Sequence, residues 1–236
     1  MLPQIGIDGQ QALLDASVLL MGLGGLGSPV AMYLAAAGIG KLTLVDFDQV
    51  ELSNLQRQII HSFDSIGQNK VDSAASRIAQ ITPDCQVSTI DKTLDEDELR
   101  ELVGEHDICV DATDNFPTRF LINRLCVEQK TPLVSGAAIR WEGQVCCFSN
   151  QPGSGCYNCL YGNGTEVEET CSSNGVLAPV VGIIGSIQAT EVIKMITGSG
   201  QSLQGRLLIL DALPMQWRSL NIKPDPDCEV CQHAHA

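Results

Sequence analysis

Ser17-Val-Leu-Leu-Met-Gly22-Leu-Gly24-Gly25-Leu-Gly27 is the stretch on which the fold turns. Four apolar residues run into a G-x-G-x-x-G turn, residues 28–37 then repeat apolar side chains at helical spacing, and a second apolar run, Lys41-Leu-Thr-Leu-Val-Asp46, follows. Strand, glycine turn, helix and strand in that order predict a βαβ unit with parallel strands. Bare backbone at Gly22, Gly24, Gly25 and Gly27 lets amides at a helix N-terminus approach phosphate oxygens. Asp46 closes the second strand 19 residues after Gly27, where a carboxylate can accept hydrogen bonds from ribose hydroxyls. A tight turn with a capping Asp carries the same letters, and the fingerprint alone does not separate ATP from a nicotinamide dinucleotide.

Outward from this unit the alternation continues. The pattern predicts helices over 70–81, 95–103 and 116–129, with strands at 86–90, 107–111 and 132–135. Residues 139–149 read as extended chain with a turn at Glu142-Gly143, so the late strands are expected to be antiparallel. Residues 151–175 are polar and aperiodic and read as a long excursion of the functional kind. Residues 179–197 form a helix apolar on nearly all sides, with Glu191 and Lys194 one turn apart, which predicts a buried helix. The expected class is α/β: a Rossmann-like, mostly parallel sheet with helices on both faces, late antiparallel strands and a four-cysteine zinc site.

Composition narrows the partners. Lys and Arg number 14 against 28 Asp and Glu, a net charge of −14, which excludes a broad basic surface for nucleic acid or anionic membrane. Residues 1–10 lack a basic segment followed by an apolar stretch, and the apolar stretch 176–190 is broken by Pro179, Gly182, Gly185 and Gln188. The expected location is the cytoplasm. There, the ten cysteines point to metal binding, chemistry or packing rather than disulfides.

Two cations and a carboxylate sharpen the nucleotide. Ser53-Asn54-Leu55-Gln56-Arg57-Gln58 follows the Asp46 strand, and Lys70 opens the next helix. Arg57 and Lys70 beside a helix-bound phosphate suit a triphosphate, although both types also serve as solvated surface charges. Asp111-Ala-Thr-Asp114-Asn115 stands at the carboxyl end of a strand, where open α/β sheets bind ligands. A carboxylate there can hold magnesium; Thr113 or Asp114 could equally cap the next helix.

Cys156-x-x-Cys159 and Cys228-x-x-Cys231 each offer two thiolates to a tetrahedral zinc. The 68 residues between Cys159 and Cys228 make this a fold-bridging clamp with no open coordination position. Two such motifs in one chain argue against a redox pair. Cys171 lies in the polar stretch outside both knuckles and is a candidate reactive thiol. Cys85, Cys109, Cys126, Cys146 and Cys147 sit in or beside core elements and read as small packing residues.

In their order, Gly22 to Gly27, Asp46-Phe-Asp48, Ser53 to Gln58, Lys70, Asp111 to Asn115, the paired Cys-x-x-Cys motifs and Thr170-Cys171 resemble the MoeB/ThiF/HesA enzymes, relatives of the ubiquitin-activating enzymes. Val134-Ser-Gly-Ala-Ala-Ile-Arg140 and Glu142-Gly-Gln144 are more similar to the MoeB branch, the molybdopterin-synthase adenylyltransferases, than to the ThiF branch of thiamine biosynthesis. The resemblance implies one adenylyltransferase domain over 1–236, with a nucleotide-binding half at 1–135 and a carrier-binding, zinc-bearing half at 136–236. It implies ATP held by the glycine turn, Asp46, Ser53, Asn54, Leu55, Gln56, Arg57, Lys70, Asp114 and Asn115, with Asp114 on Mg2+. The reaction implied is adenylylation of the C-terminal Gly-Gly carboxylate of a small ubiquitin-like sulfur carrier. A homodimer and a separate sulfur donor go with it, and Cys171 matches the cysteine that in some relatives joins covalently to the carrier.

Relatives carry an upstream helix whose arginine reaches the partner subunit's ATP, and no arginine precedes Arg57 here. The expectation is that this 236-residue chain binds ATP but turns over slowly.

Overall fold

The computed structural model describes residues 2–162 and 175–231. The elements run α1 (Gly6–Asp15), β1 (Ser17–Met21), α2 (Gly27–Ala37), β2 (Lys41–Val45), α3 (Lys70–Ile81), β3 (Gln86–Ile90), α4 (Glu96–Gly104), β4 (Ile108–Asp111), α5 (Phe116–Gln129), β5 (Leu133–Ile139), β6 (Glu142–Phe148), α6 (Tyr157–Tyr161), α7 (Ala178–Thr197), β7 (Arg206–Asp211) and β8 (Gln216–Asn221). Short 3-10 turns at Leu52–Asn54 and Phe63–Ser65 interrupt the β2–α3 connection.

The strands form one eight-stranded sheet in the order β3-β2-β1-β4-β5-β6-β7-β8. From β3 to β5 the pairs are parallel, and from β5 to β8 they are antiparallel. The reversal of strand order at β1 and β4 is the switch point beside which an open α/β sheet presents its binding crevice.

Alternation along each strand divides the interior into two cores. Val18 and Leu20 of β1 join Leu42, Leu44, Ile108 and Val110 under α1, α2, α3 and α7, whereas Leu19 and Met21 join Cys109, Cys146 and Phe148 under α4, α5 and α6. The expected layering, with helices on both faces, is what this division produces. Asp95 starts α4 with a capping box: its carboxylate accepts from Glu98 N at 2.9 Å while Glu98 accepts from Asp95 N at 3.1 Å.

Helix α7 is long and apolar enough to cross a membrane by length and composition, but Val180, Val181, Ile184, Ala189 and Val192 are buried in the first core. Its Glu191 accepts from Lys194 Nζ at 2.6 Å and from Leu203 N at 2.6 Å, so the one-turn pair of charges also ties the following loop to the helix.

The structure moves the predicted hairpin turn. Strand β5 continues to Ile139, the chain reverses at Arg140-Trp141 with Arg140 at φ +53°, and Glu142-Gly143 already pairs with β5. Gly143 is in mid-strand for a packing reason: a Cβ there would run into the Ile184 side chain of α7. The polar excursion also contains a helical turn, α6, and α1, β7 and β8 are elements beyond those the sequence pattern predicts.

Candidate functional site

The glycine turn joins β1 to α2 with its polar backbone groups assigned one by one. Gly22 N donates to Val45 O at 2.9 Å, and a Cβ at Gly27 would run into the carbonyl oxygen of Gly22, so only glycine closes the turn this tightly. Leu23 N donates to Asp46 Oδ2 at 2.7 Å, and Asp48 N donates to Asp46 Oδ1 at 2.9 Å. Burial raises the Asp46 pKa, with the nearby Lys70 charge opposing it. On the far side, the Leu23 carbonyl lies 3.1 Å from His61 Nε2, and His61 Nδ1 lies 2.9 Å from Ser73 Oγ. A carbonyl can only accept, so Nε2 is assigned the proton and Nδ1 accepts from the serine. Burial lowers the pKa of this ring, which keeps it neutral.

In front of the turn is an open cleft. Gly22, Gly24, Gly25, Asp46, Arg57, Lys70, Asp114 and Asn115 all line it. Gly27 lies beneath, inside α2. Ser53, Asn54, Leu55 and Gln56 form the turn leading to Arg57 and do not line the cleft; Arg57 Nη1 lies 3.4 Å from Ser53 O. Lys70 is not a solvated surface charge. Its side chain is 7% exposed and its Nζ is 2.7 Å from Asp48 Oδ2, so a buried stem presents an ammonium already paired with a carboxylate that is 53% exposed.

Asp114 is exposed at the carboxyl end of β4 and lines both this cleft and an adjoining hollow, which it shares with Ala138, Arg119, Glu142 and Gln144. Neither Thr113 nor Asp114 caps α5. Asn115 does so, its Oδ1 accepting from Thr118 N at 3.0 Å, while Thr113 donates through Oγ1 to the buried Asp111 carboxylate at 2.6 Å. Ser135 Oγ donates to the other Asp111 oxygen at 2.8 Å, which leaves Asp111 an internal brace and Asp114 the carboxylate open to a ligand.

The four knuckle cysteines converge. Their sulfurs all lie within 4.8 Å of one another, with Cys156–Cys159 at 3.9 Å, Cys156–Cys228 at 3.7 Å and Cys159–Cys231 at 3.4 Å. Four sulfurs at about 2.3 Å from one zinc stand about 3.8 Å apart, so the cluster fits a tetrahedral structural ion. Burial pushes the Cys156 thiol up to about 11; at Cys228 burial acts in the same direction but amide donors, including Asn158, bring the thiol down to about 7. A divalent cation at the centre is what would let all four shed their protons. Cys109, Cys126, Cys146 and Cys147 are buried packing residues as expected, and Cys85 is half-buried. Cys171 lies outside the described residues.

The sequence model of the ThiF family matches residues 1–230. The chain belongs to the ThiF family. It is 48% identical over 224 residues to the molybdopterin-synthase adenylyltransferase of Escherichia coli, covering 95% of this chain and 90% of that one. It is 42% identical over 236 residues to the sulfur carrier protein ThiS adenylyltransferase of the same organism, covering 100% and 94%. Among solved structures, E. coli MccB with ATP superposes with a TM-score of 0.83 at 28% identity, over 95% of this chain and 69% of that one.

This ThiF-family chain also places in the cleft residues that the sequence reading left out of the site. Asp48 was legible as a second acid two positions after Asp46, but its pairing with Lys70 requires the fold. Gln58 is 4% exposed with a buried Oε1 that has no partner among the described residues, and it lines the cleft beside Gly24. Lys92 and Thr118 line it as well and carried no motif.

Proposed function

We propose that this chain transfers AMP from ATP to the C-terminal Gly-Gly carboxylate of a small ubiquitin-like sulfur carrier, the molybdopterin-synthase small subunit, releasing pyrophosphate. The observation that carries the reading is the cleft itself: a glycine turn at a helix N-terminus, Arg57, Lys70 and the open carboxylate of Asp114 face one space, and that space adjoins a second hollow across Asp114 and Ala138. High identity to the molybdopterin-synthase enzyme over most of both chains supports the choice of carrier.

A carboxylate oxygen of the carrier attacks the α-phosphorus of ATP, the bond to the bridging oxygen breaks, and its electron pair leaves with pyrophosphate. The protein needs no nucleophile for this step. It must hold two anions in line and offset charge growing on the phosphates. Gly24 and Gly25, whose amides can donate to phosphate oxygens, and the cations of Arg57 and Lys70 line the space where that charge grows, Lys70 exchanging its Asp48 partner for a phosphate oxygen. Asp46 has spent two acceptor positions on Leu23 N and Asp48 N and keeps others for ribose hydroxyls. Asp114 would hold magnesium, which supplies charge neutralisation on the departing pyrophosphate. The carrier, a separate sulfur donor and a second copy of this chain are the partners that this reading implies.

Exchange of labelled pyrophosphate into ATP tests it. The molybdopterin-synthase small subunit is expected to stimulate exchange more than the thiamine carrier does. The opposite order would favour the second reading, supported by the 42% identity to the ThiS adenylyltransferase over the whole chain; no exchange with either carrier would defeat both. Arg57→Ala and Lys70→Ala are each expected to lower the exchange rate by roughly 100-fold, the range for losing one preorganised charge. Losses of a few-fold would show that the charge replaced does not serve the transfer.

A further inference from the structure

An anion-binding turn has two requirements. Its N–H groups must face the ligand, and its carbonyl oxygens, which repel phosphate, must be consumed elsewhere. In this turn the Gly24 carbonyl accepts from Ser28 N at 3.0 Å and Ser28 Oγ at 2.7 Å, both within the start of α2. The Leu23 carbonyl has no such local donor. It is held by His61 Nε2 at 3.1 Å, from 38 residues along the chain, and the other ring nitrogen is locked by Ser73 Oγ at 2.9 Å. Ser73 sits one turn into α3, the helix that Lys70 opens.

We propose that His61 is a positioning residue for ATP: it anchors the Leu23 carbonyl away from the phosphate site and joins the glycine turn to the helix that carries Lys70. His61 is 7% exposed and Leu23 is fully buried; a polar hollow lined by His61 and Ser73 lies on the outer side of the ring, so it is the imidazole that reaches inward to hold the carbonyl. The Leu23 residue is thereby fixed at both ends, its N–H by Asp46 and its carbonyl by His61. Remove the second anchor and the peptide between Leu23 and Gly24 is free to rotate, which would turn a carbonyl toward the phosphates and swing an amide away. His61 touches no reacting atom in this arrangement. Its effect falls on how tightly ATP is bound.

The inference rests on the ATP reading above, and conservative variants separate the two. Gln reaches with its Nε2 where His places Nε2, so His61→Gln keeps a donor for the Leu23 carbonyl; Asn reaches only to the Nδ1 position, so His61→Asn keeps the Ser73 contact and loses the anchor. Pyrophosphate exchange is measured for wild type and both variants against ATP and against carrier concentration, with thermal melting alongside. His61→Asn is expected to raise KM for ATP about 10-fold, the order of one lost hydrogen bond to a buried group. kcat and the carrier KM should stay within about 2-fold and His61→Gln should return KM for ATP to near wild type, as uniform-binding losses do. Equal KM values for ATP in the Asn and Gln variants, or a KM that merely tracks the loss in melting temperature, would overturn the proposal while leaving wild-type exchange and the ATP reading intact. Absence of exchange in the wild type would remove both.

Discussion

Asp114→Ala is expected to lower pyrophosphate exchange by roughly 1000-fold or more, beyond the loss expected for either cation, because it removes the one open carboxylate that both hollows share. The fold should survive the change. Asp114 is exposed and does not cap α5, a role taken by Asn115, and the buried brace at this strand end is Asp111, which holds Thr113 and Ser135. An unchanged melting temperature with exchange lost is therefore the expected pair of results. If exchange stays within a few-fold of wild type, Asp114 is not the magnesium ligand.

Cys228→Ser is expected to behave in the opposite way, with stability lost and the intrinsic exchange rate kept in the protein that remains folded. The native protein should carry about one zinc per chain, and the variant should lose the metal and melt at least about 10 °C lower, since binding energy at such a site is folding energy and a few kcal/mol moves the midpoint of a chain this size by that much. The cluster sits beside Asn123 and Val127 of α5, whereas Asn115 and Thr118 at the other end of the same helix line the cleft. Gently purified protein without zinc, or melting unaffected by a chelator, would sink the assignment.

The parallel half of the fold was legible because its signals are local. An apolar run, a glycine turn and a helical period in sequence leave few arrangements for β1, α2 and β2, and Asp111 to Asn115 could be placed at a strand end from the run before it. Strand β8 was not legible for the converse reason: Gln216–Asn221 is exposed at every residue, so no alternation marks it. The β5–β6 turn was misplaced because Arg140 adopts a positive φ that the sequence assigns to the nearby glycine, while Gly143 answers to a helix contact from 41 positions away. Within the site, the cations could be named but not their state. That Lys70 is buried and paired with Asp48 depends on two segments meeting, and His61, which no sequence motif marks, is interpretable only from the partners of its two ring nitrogens.

The knuckles draw together residues 72 positions apart, Cys156 with Cys228 and Cys159 with Cys231, and between them lie α7, β7 and β8. A cross-link over a loop of that length acts on the disordered chain at least as much as on the native one. A closed loop has fewer conformations to lose, and each doubling of its length adds only about 0.6 kcal/mol to the closure term, so a long span is held nearly as cheaply as a short one. Strand β7 at the antiparallel end is held by core through Leu207 and Leu210, but the outermost strand, β8, buries none of its residues, and with an ion bound the closed loop would tie it down by topology. Insertions in the loops between α7 and β8 should then be tolerated far better than the short distances in the folded molecule suggest, so long as the four sulfurs still meet.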